Sequence, residues 1–254
     1  MKKLLTLCLF AGCLPVLAQN DYTKKQFITA MGDTVPYREL SPKESIHKKK
    51  FPLVLFLHGA GERGNDNEKQ LTHGANMFEN PVVRDKYPAY VLFPQCPTEG
   101  YWVKASQDSM RSPSALLPYS PYTPIDDVKQ LIDYYLTHFP IDTDRVYVIG
   151  LSMGGMGTFE ITSKYPALFA AAVPICGQME NPKDLIHTKG IPFRIFHGDA
   201  DQVVPIDGSR DAYNTLTDLG YEVEYIEYPG VKHGSWHNAF NEKDFISWIF
   251  KQKK

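Results

Sequence analysis

Short, uninterrupted runs of apolar residues recur along the chain and predict strands that are buried on both faces. The clearest is Phe51–Leu57, with the sequence FPLVLFL. Ahead of it, residues 25–40 form two short strand-like runs around Gly32-Asp33, which is typical of a β-hairpin. Five later runs have the same buried character: Tyr90–Phe93, the run that begins at Val146, Ala171–Ile175, Phe193–Phe196 and Val223–Tyr228.

Between these runs the apolar spacing changes to that of helices. Residues 125–139 place their apolar side chains on one face, with Thr123 expected as the cap and Pro124 at the first helical position. Further helices are predicted at 71–78, after residue 152 as far as Tyr165-Pro166, at 207–219 before Gly220, and at the apolar C-terminal segment of residues 240–249. This alternation predicts an α/β fold with a mostly parallel sheet and helices on both faces.

Composition is consistent with one domain of this kind. The chain has 254 residues, of which 43% are hydrophobic, enough for a single sizeable core. Its 27 basic and 29 acidic residues nearly cancel, so no nucleic-acid partner is indicated. The apolar runs are too short for a membrane span. We expect one catalytic domain over residues 19–254, of unknown oligomeric state.

The first 18 residues have the pattern of a signal peptide. Lys2-Lys3 precede an apolar run, and Val16-Leu17-Ala18 is a small-residue cleavage site. We therefore expect an exported protein, periplasmic or secreted. The alternative is a lipoprotein anchored at Cys13, which follows Ala11-Gly12. Cleavage after residue 18 leaves Cys96 and Cys176, either as a disulfide, which export allows, or as two buried thiols.

One motif carries the candidate chemistry. Gly150-Leu-Ser152-Met-Gly154 fits G-x-S-x-G, a sharp strand-to-helix turn that exposes a nucleophilic serine. The preceding run from Val146 supplies the strand, and the following segment supplies the helix. Serine needs a base, and the base needs an acid that orients it. Asp201 and His233 follow two later strands in that order, and the alternatives are Asp199 and His237.

Four stretches resemble those of α/β-hydrolase esterases, in the same order along the chain. Leu57–Gly64 resembles the oxyanion loop and Gly150–Gly154 the nucleophile turn. His197–Pro205 and Pro229–Trp236 are similar to the acid and histidine loops, with Lys232 where many relatives have glycine. The nearest likeness is to exported feruloyl and acetylxylan esterases and polyhydroxybutyrate depolymerases. The resemblance implies an α/β-hydrolase fold, a Ser152–His233–Asp201 triad, and an oxyanion hole formed by the backbone N–H groups of Met153 and Ala60.

Other polar and aromatic residues are interpreted more simply. His58 and His197 each precede a glycine at a strand end, where loop hydrogen bonds account for them. The sequence contains neither a zinc motif nor a nucleotide-binding glycine motif, so no metal or cofactor is expected. Glu62 and Arg63 are expected to pair with each other or with the loop backbone. The candidate substrate contacts are aromatic residues that either stack on a sugar or phenolic group or shield the long loop at 94–124 from water: Tyr101, Trp102 and Trp236.

Three functions fit these patterns. The first is a serine esterase that removes feruloyl or acetyl groups from plant polysaccharide or its oligosaccharides. The second is a peptidase of the prolyl-oligopeptidase type, whose relatives carry an additional propeller domain on a longer chain. The third is a non-catalytic carbohydrate-binding module, which the complete set of serine, aspartate and histidine disfavours.

Overall fold

An eight-stranded sheet forms the centre of the protein. The computed structural model describes residues 21–43, 49–104, 123–179 and 181–254. The strands are β1 (Thr23–Ile28), β2 (Thr34–Leu40), β3 (Phe51–Leu57), β4 (Tyr90–Pro94), β5 (Ile141–Leu151), β6 (Ala171–Ile175), β7 (Phe193–Gly198) and β8 (Val223–Tyr228). They lie in the order β1-β2-β4-β3-β5-β6-β7-β8. The predicted hairpin of β1 and β2 lies at one edge, where β2 pairs antiparallel with both β1 and β4. The six strands β3 to β8 are parallel to one another.

Alternate side chains of each central strand face opposite layers of the core, as the period of two requires. In β3, Leu53, Leu55 and Leu57 belong to one hydrophobic cluster, whereas Val54 and Phe56 belong to the other. Because helices cover both layers, the whole strand is buried. This explains why the run is uninterrupted rather than alternating.

Seven helices cover the two faces of the sheet in the described ranges. They are α1 (Ala75–Glu79), α2 (Pro81–Lys86), α3 (Ile125–His138), α4 (Met153–Lys164), α5 (Asp207–Asp218), α6 (Trp236–Phe240) and α7 (Phe245–Lys251). Apolar residues of α3, α4 and α5 pack into the first cluster, and those of α1, α6 and α7 into the second. None of the helices in these ranges is long and apolar enough to cross a membrane.

Three predicted helix boundaries were wrong. Thr123 does not cap α3, since its hydroxyl donates to the carbonyl of Trp102 (3.2 Å) and the helix begins after Pro124 without a side-chain cap. The helix predicted at 71–78 begins only at Ala75, because Gly74 has a left-handed conformation (φ 81°) against the ring of Phe56. The C-terminal segment forms two short helices instead of one.

The parallel strands direct four loops to one edge of the sheet. Residues following β3, β5, β7 and β8 carry the oxyanion-loop, nucleophile, acid and histidine stretches identified in the sequence. Parallel α/β sheets bind their ligands at this carboxyl edge. The predicted signal peptide and residues 105–122 of the long loop lie outside the described residues.

Candidate active site

Ser152 lies on a strained turn between β5 and α4. Its backbone has φ 54° and ψ −120°, a region that non-glycine residues rarely occupy. The Ser152 N–H donates to the Ile175 carbonyl of the adjacent strand (2.8 Å), which holds the turn against the sheet. This geometry directs the side chain out of the sheet edge. The predicted nucleophile elbow is present.

The glycines of the motif allow the backbone to pack closely. A β-carbon on Gly154 would lie 1.9 Å from the carbonyl oxygen of Leu57, and one on Gly150 would lie 2.0 Å from the carbonyl oxygen of Gly154. Both clashing atoms are backbone carbonyl oxygens rather than ends of flexible side chains, so moving them would cost substantial free energy. The motif therefore reflects close contact between α4 and the end of β3.

We expect Gly154→Ala to destabilise the protein by about 3 kcal/mol, at the upper end of overpacking costs, because backbone must separate to admit the methyl group. Chemical denaturation of the variant measures the loss. Gly61→Ala is the matched control, since no atom lies within 4 Å of its added carbon. Equal stability of the two variants would contradict the packing argument.

The structure brings His233 and Asp201 to Ser152 in one line of hydrogen bonds. Ser152 Oγ lies 2.9 Å from His233 Nε2. His233 Nδ1 lies 2.8 Å from Asp201 Oδ2. Because a carboxylate accepts only, Nδ1 carries the hydrogen and Nε2 is left as an acceptor for the serine hydroxyl. The imidazole is thus in the tautomer that a general base requires.

Asp201 is held as a carboxylate by four donors. Its Oδ1 accepts the backbone N–H groups of Val203 (2.8 Å) and Val204 (3.0 Å). Its Oδ2 accepts from His233 and also lies 3.2 Å from Nε2 of His197. Burial acts to raise the pKa of Asp201, but the two histidines and the two backbone groups together hold this pKa well below its usual range.

The acid and histidine loops are bound to each other through backbone. Asp199 N–H donates to the carbonyl of Tyr228 (3.1 Å), and Ala200 N–H donates to that of Val231 (3.0 Å). The Asp199 carboxylate in turn accepts the N–H of Gly230 (2.6 Å). These contacts bring His233 onto Asp201. They also show that the alternative acid, Asp199, is an exposed loop-binding residue.

The alternative base, His237, is directed elsewhere. It lies exposed on α6, where its ring is 5.9 Å from that of His73 and 5.5 Å from that of Trp236. It is therefore His233, and not His237, that hydrogen-bonds Ser152.

The loop after β3 lies directly beside the serine. A β-carbon on Gly59 would be 3.6 Å from Ser152 Cβ. Arg63 fixes this loop, as its guanidinium donates to the carbonyl oxygens of Ala60 (3.0 Å), Thr98 and Gly100. The sequence analysis expected Glu62 and Arg63 to pair with each other or with loop backbone, and for Arg63 the second alternative is confirmed.

Two of the predicted substrate contacts are buried. The Trp102 side chain has no exposed surface, and Tyr101 is 5% exposed. The Trp102 indole donates to the His58 carbonyl (2.9 Å), and its Cβ would be only 2.6 Å from a β-carbon on Gly157. Both residues are thus buried in the loop packing, as the shielding alternative of the sequence analysis expects, and the stacking alternative is wrong for these two residues.

His58 is satisfied by its loop, as predicted. Its Nδ1 lies 2.6 Å from the Gly59 carbonyl oxygen, and its Nε2 accepts the N–H of Cys96 (2.9 Å). Burial lowers the pKa of His58 to about 4, which keeps the ring neutral.

The third aromatic candidate remains at the site. The ring of Trp236 is perpendicular to that of His233, with centroids 5.4 Å apart, and Trp236 is only partly buried. Two more side chains lie near it: His73, which the sequence analysis did not identify, and Glu62, which it expected to pair with Arg63 or with loop backbone. His73 lies 5.2 Å from the Trp236 ring, and its Nε2 is 3.7 Å from Glu62, whose carboxylate also reaches the space beside Gly59. No local motif marks these residues, because they meet only through the fold.

The remaining cysteines are buried free thiols rather than a disulfide. Burial raises the pKa of both Cys96 and Cys176 to about 12. Ligand atoms of Cys176, Asp201 and His233 lie within 4.8 Å of one another. A metal ion there would need a thiolate, and it would displace the hydrogen between His233 and Asp201, so the group fits the hydrogen-bonded triad better than a metal site.

Comparison with known proteins agrees with the fold. The sequence model of the phospholipase/carboxylesterase family of α/β hydrolases matches residues 43–249. The chain belongs to this family. The predicted α/β-hydrolase fold is therefore confirmed, and so is the resemblance to its esterases.

Individual relatives extend this result. A putative esterase NocK of Nocardia uniformis subsp. tsuyamanensis is 29% identical over 81% of this chain, which spans 56% of that protein. Carboxylesterase SOBER1 of Arabidopsis thaliana is 27% identical over 80% of this chain and 91% of its own. The solved structure of a thermostable esterase superposes with a TM-score of 0.83 at 37% identity, over 92% of this chain and 64% of that chain.

A ferulic acid esterase from Anaeromyces mucronatus, solved in complex with ferulic acid, has a TM-score of 0.67 at 17% identity, with 91% of this chain and 90% of that chain covered. At this identity the likeness concerns the fold alone. Of the proteins compared above, NocK and the thermostable esterase are longer than this chain, which spans 56% of the length of NocK and 64% of that of the thermostable esterase.

Proposed function

We propose that the protein is a serine carboxylesterase that acts through an acyl-enzyme. The observation that carries the proposal is the hydrogen-bonded line from Ser152 Oγ through the His233 imidazole to the buried Asp201 carboxylate, with distances of 2.9 and 2.8 Å. Family membership and the carboxylesterase relatives support the same activity.

In the first half-reaction Ser152 attacks the ester carbonyl carbon. His233 Nε2 accepts the hydroxyl proton as the oxygen–carbon bond forms. The proton then passes from Nε2 to the departing alkoxide, which leaves as the alcohol, and the acyl group remains on Ser152. Asp201 stays ionised and stabilises the transient imidazolium, because its pKa is held well below the usual range.

In the second half-reaction water replaces the alcohol. His233 takes a proton from the water molecule while the oxygen attacks the acyl carbon, and then returns that proton to Ser152. The free acid leaves, and the enzyme is regenerated without a net change in its protonation.

The tetrahedral oxyanion is assigned to two backbone donors, Met153 and Ala60. Met153 is the first residue of α4, so its N–H has no acceptor within the helix. Ala60 begins a short 3-10 turn in the loop that abuts Ser152, and its own carbonyl is bound by Arg63. Removing one such donor generally costs about 3–4 kcal/mol of barrier, so small shifts of this loop are expected to lower kcat.

The proposed substrates are acetyl or feruloyl esters of plant polysaccharide or its oligosaccharides. Support comes from the partly buried Trp236 ring beside His233, which offers a stacking surface for a phenolic or sugar ring, and from the fold shared with a ferulic acid esterase. The proposed location is outside the cytoplasm, after cleavage behind Ala18. The N-terminus of the exported protein distinguishes the two modes of export. A mature N-terminus found at Gln19 would support a soluble protein, and a lipid found on Cys13 would support the anchored alternative.

A substrate panel tests the proposal. Wild-type protein and Ser152→Ala are assayed with para-nitrophenyl acetate, para-nitrophenyl butyrate, methyl ferulate and acetylated xylan. Hydrolysis by the wild type alone supports a serine esterase, and the ratio of ferulate to acetate turnover identifies the acyl class. A fluorophosphonate that adds its phosphonyl mass to Ser152 alone gives independent support. The esterase proposal is overturned if the folded wild type hydrolyses none of these esters, or if it cleaves a peptide instead.

A further inference from the structure

We infer that His197 is a positioning residue for the triad: it binds the same Asp201 oxygen as His233, and so sets both the position and the acceptor strength of that carboxylate. This inference rests on the proposed esterase function. It replaces the interpretation of His197 as a histidine satisfied only by loop hydrogen bonds.

The contacts of His197 Nε2 identify which ring nitrogen carries a hydrogen. Nε2 lies 3.2 Å from Asp201 Oδ2 and 3.0 Å from the carbonyl oxygen of Val204. Both neighbours can only accept, so Nε2 must donate. The side chains of His197 and Asp201 have no exposed surface, and water cannot replace this donor without a rearrangement.

The other ring nitrogen connects to a buried hydroxyl. His197 Nδ1 lies 2.8 Å from Ser209 Oγ, which is itself 2.9 Å from the carbonyl oxygen of Gly177. Ser209 has one hydrogen for these two neighbours. If the hydrogen points to Nδ1, the ring is neutral; if it points to Gly177, Nδ1 donates and the ring is an imidazolium. In both states Nε2 donates to Asp201.

Sharing Oδ2 between two imidazoles has an electrostatic consequence. The N–H dipole of His197 reduces the negative potential that His233 experiences at that oxygen, and an imidazolium would reduce it further. The protonated form of His233 is then less strongly stabilised than it would be beside a carboxylate oxygen that it alone binds. His197 also prevents rotation of the carboxylate, whose other oxygen is held by Val203 and Val204.

The titratable groups around this pair are few in the described part of the chain. Asp201 faces His197, His233 and the thiol of Cys176, whose pKa burial raises to about 12, so that it stays neutral. On β8, Glu227 interacts electrostatically with His197 and is itself paired with Arg210.

The test compares two substitutions of His197 by the pH dependence of kcat/KM on para-nitrophenyl acetate. His197→Leu removes the donor, and we expect kcat to fall on the order of 10- to 100-fold, the usual value of one hydrogen bond to a charged group. The acid limb, which is the part of the kcat/KM profile that falls as the pH is lowered, should move to higher pH by roughly half a unit or more. The reason is that Oδ2 then binds His233 alone and stabilises its protonated form more strongly. His197→Gln retains an N–H and should restore both quantities towards wild type.

A merely structural role would lower stability without moving the acid limb. An unchanged limb in a folded His197→Leu protein, or equal profiles for the Leu and Gln variants, therefore overturns the inference while leaving the esterase proposal intact. Failure of the esterase proposal is distinguished separately, because the folded wild type would then be inert on the ester, or turnover would survive Ser152→Ala in the same assay.

If neither variant folds, NMR of the wild-type protein with nitrogen-15-labelled histidine shows which ring nitrogen of His197 carries a proton. A proton on Nε2 of His197 that shows a through-space contact with the β-protons of Asp201 supports the inference. A His197 ring protonated at Nδ1 alone contradicts it.

Discussion

Replacement of Ser152 by alanine is expected to lower kcat by about 10⁶-fold, the loss typical of removing a triad nucleophile. The variant keeps every other hydrogen bond of the line, since His233 remains on Asp201 at 2.8 Å. Without Oγ no acyl-enzyme can form, and only binding and oxyanion stabilisation remain. Steady-state hydrolysis of para-nitrophenyl acetate measures the loss.

Alanine is the appropriate replacement because it keeps the β-carbon on the left-handed turn. The backbone strain at φ 54° is then the same in both proteins, and thermal unfolding should change little. Ser247→Ala is the matched control, as this exposed hydroxyl donates to the Asp244 carbonyl at the start of the same short helix. Residual activity above a few per cent in the Ser152 variant, with contaminating esterase excluded by the phosphonate probe, would contradict the proposed nucleophile.

Asp201→Asn is expected to lower kcat by about 10⁴-fold while leaving substrate binding almost unchanged. Asp201 Oδ2 accepts from both His233 and His197, and an amide can offer only one accepting oxygen. An NH₂ group towards His233 favours the tautomer with hydrogen on Nε2, which cannot accept the Ser152 proton. Separate measurement of kcat and KM identifies the affected step.

The matched control is Asp199→Asn, two positions earlier in the same turn. Asp199 accepts only the Gly230 N–H among the described contacts, and an amide oxygen can still accept it. We expect less than about a threefold change in kcat, since surface substitutions generally have small effects. A larger loss for Asp199→Asn than for Asp201→Asn would reverse the assignment of the acid.

Stability against pH provides a second readout for Asp201. Its folded-state pKa is depressed, so the unfolded chain takes up the proton first as the pH falls. The stabilisation is fully present above the usual carboxyl pKa of about 4 and is lost below it. The difference in unfolding free energy between wild type and Asp201→Asn should therefore narrow as the pH falls from 6 to 3.

Residues whose role depends on a short stretch of chain were predicted from the sequence. The apolar run of β3 and the elbow at Gly150–Gly154 are local patterns, because strand burial and a tight turn each act on neighbouring positions. The three triad residues could be ordered along the chain because parallel strands direct their following loops to one edge. The structure then shows that His233 hydrogen-bonds Ser152 and that Asp201 hydrogen-bonds His233.

What the sequence left open depends on packing between distant segments. The sequence leaves open whether Trp102 stacks on substrate or shields the long loop; the absence of a side chain at Gly157 creates the space that buries it. The cap at Thr123 and the start of the helix at 71–78 were predicted wrongly because tertiary contacts with Trp102 and Phe56 outweigh local capping and helix preferences, which are worth about 1 kcal/mol each.

By itself, the sequence determined the α/β class and the resemblance to α/β-hydrolase esterases, and it singled out Ser152, Asp201 and His233 as the candidate triad, since each is marked by neighbours in the chain. Only the tertiary structure decided that His197 shares the Asp201 oxygen with His233. The physical reason is that a hydrogen bond acts over about 3 Å between side chains, whatever their separation in sequence. Such a contact exists only once β7 and β8 are paired in register.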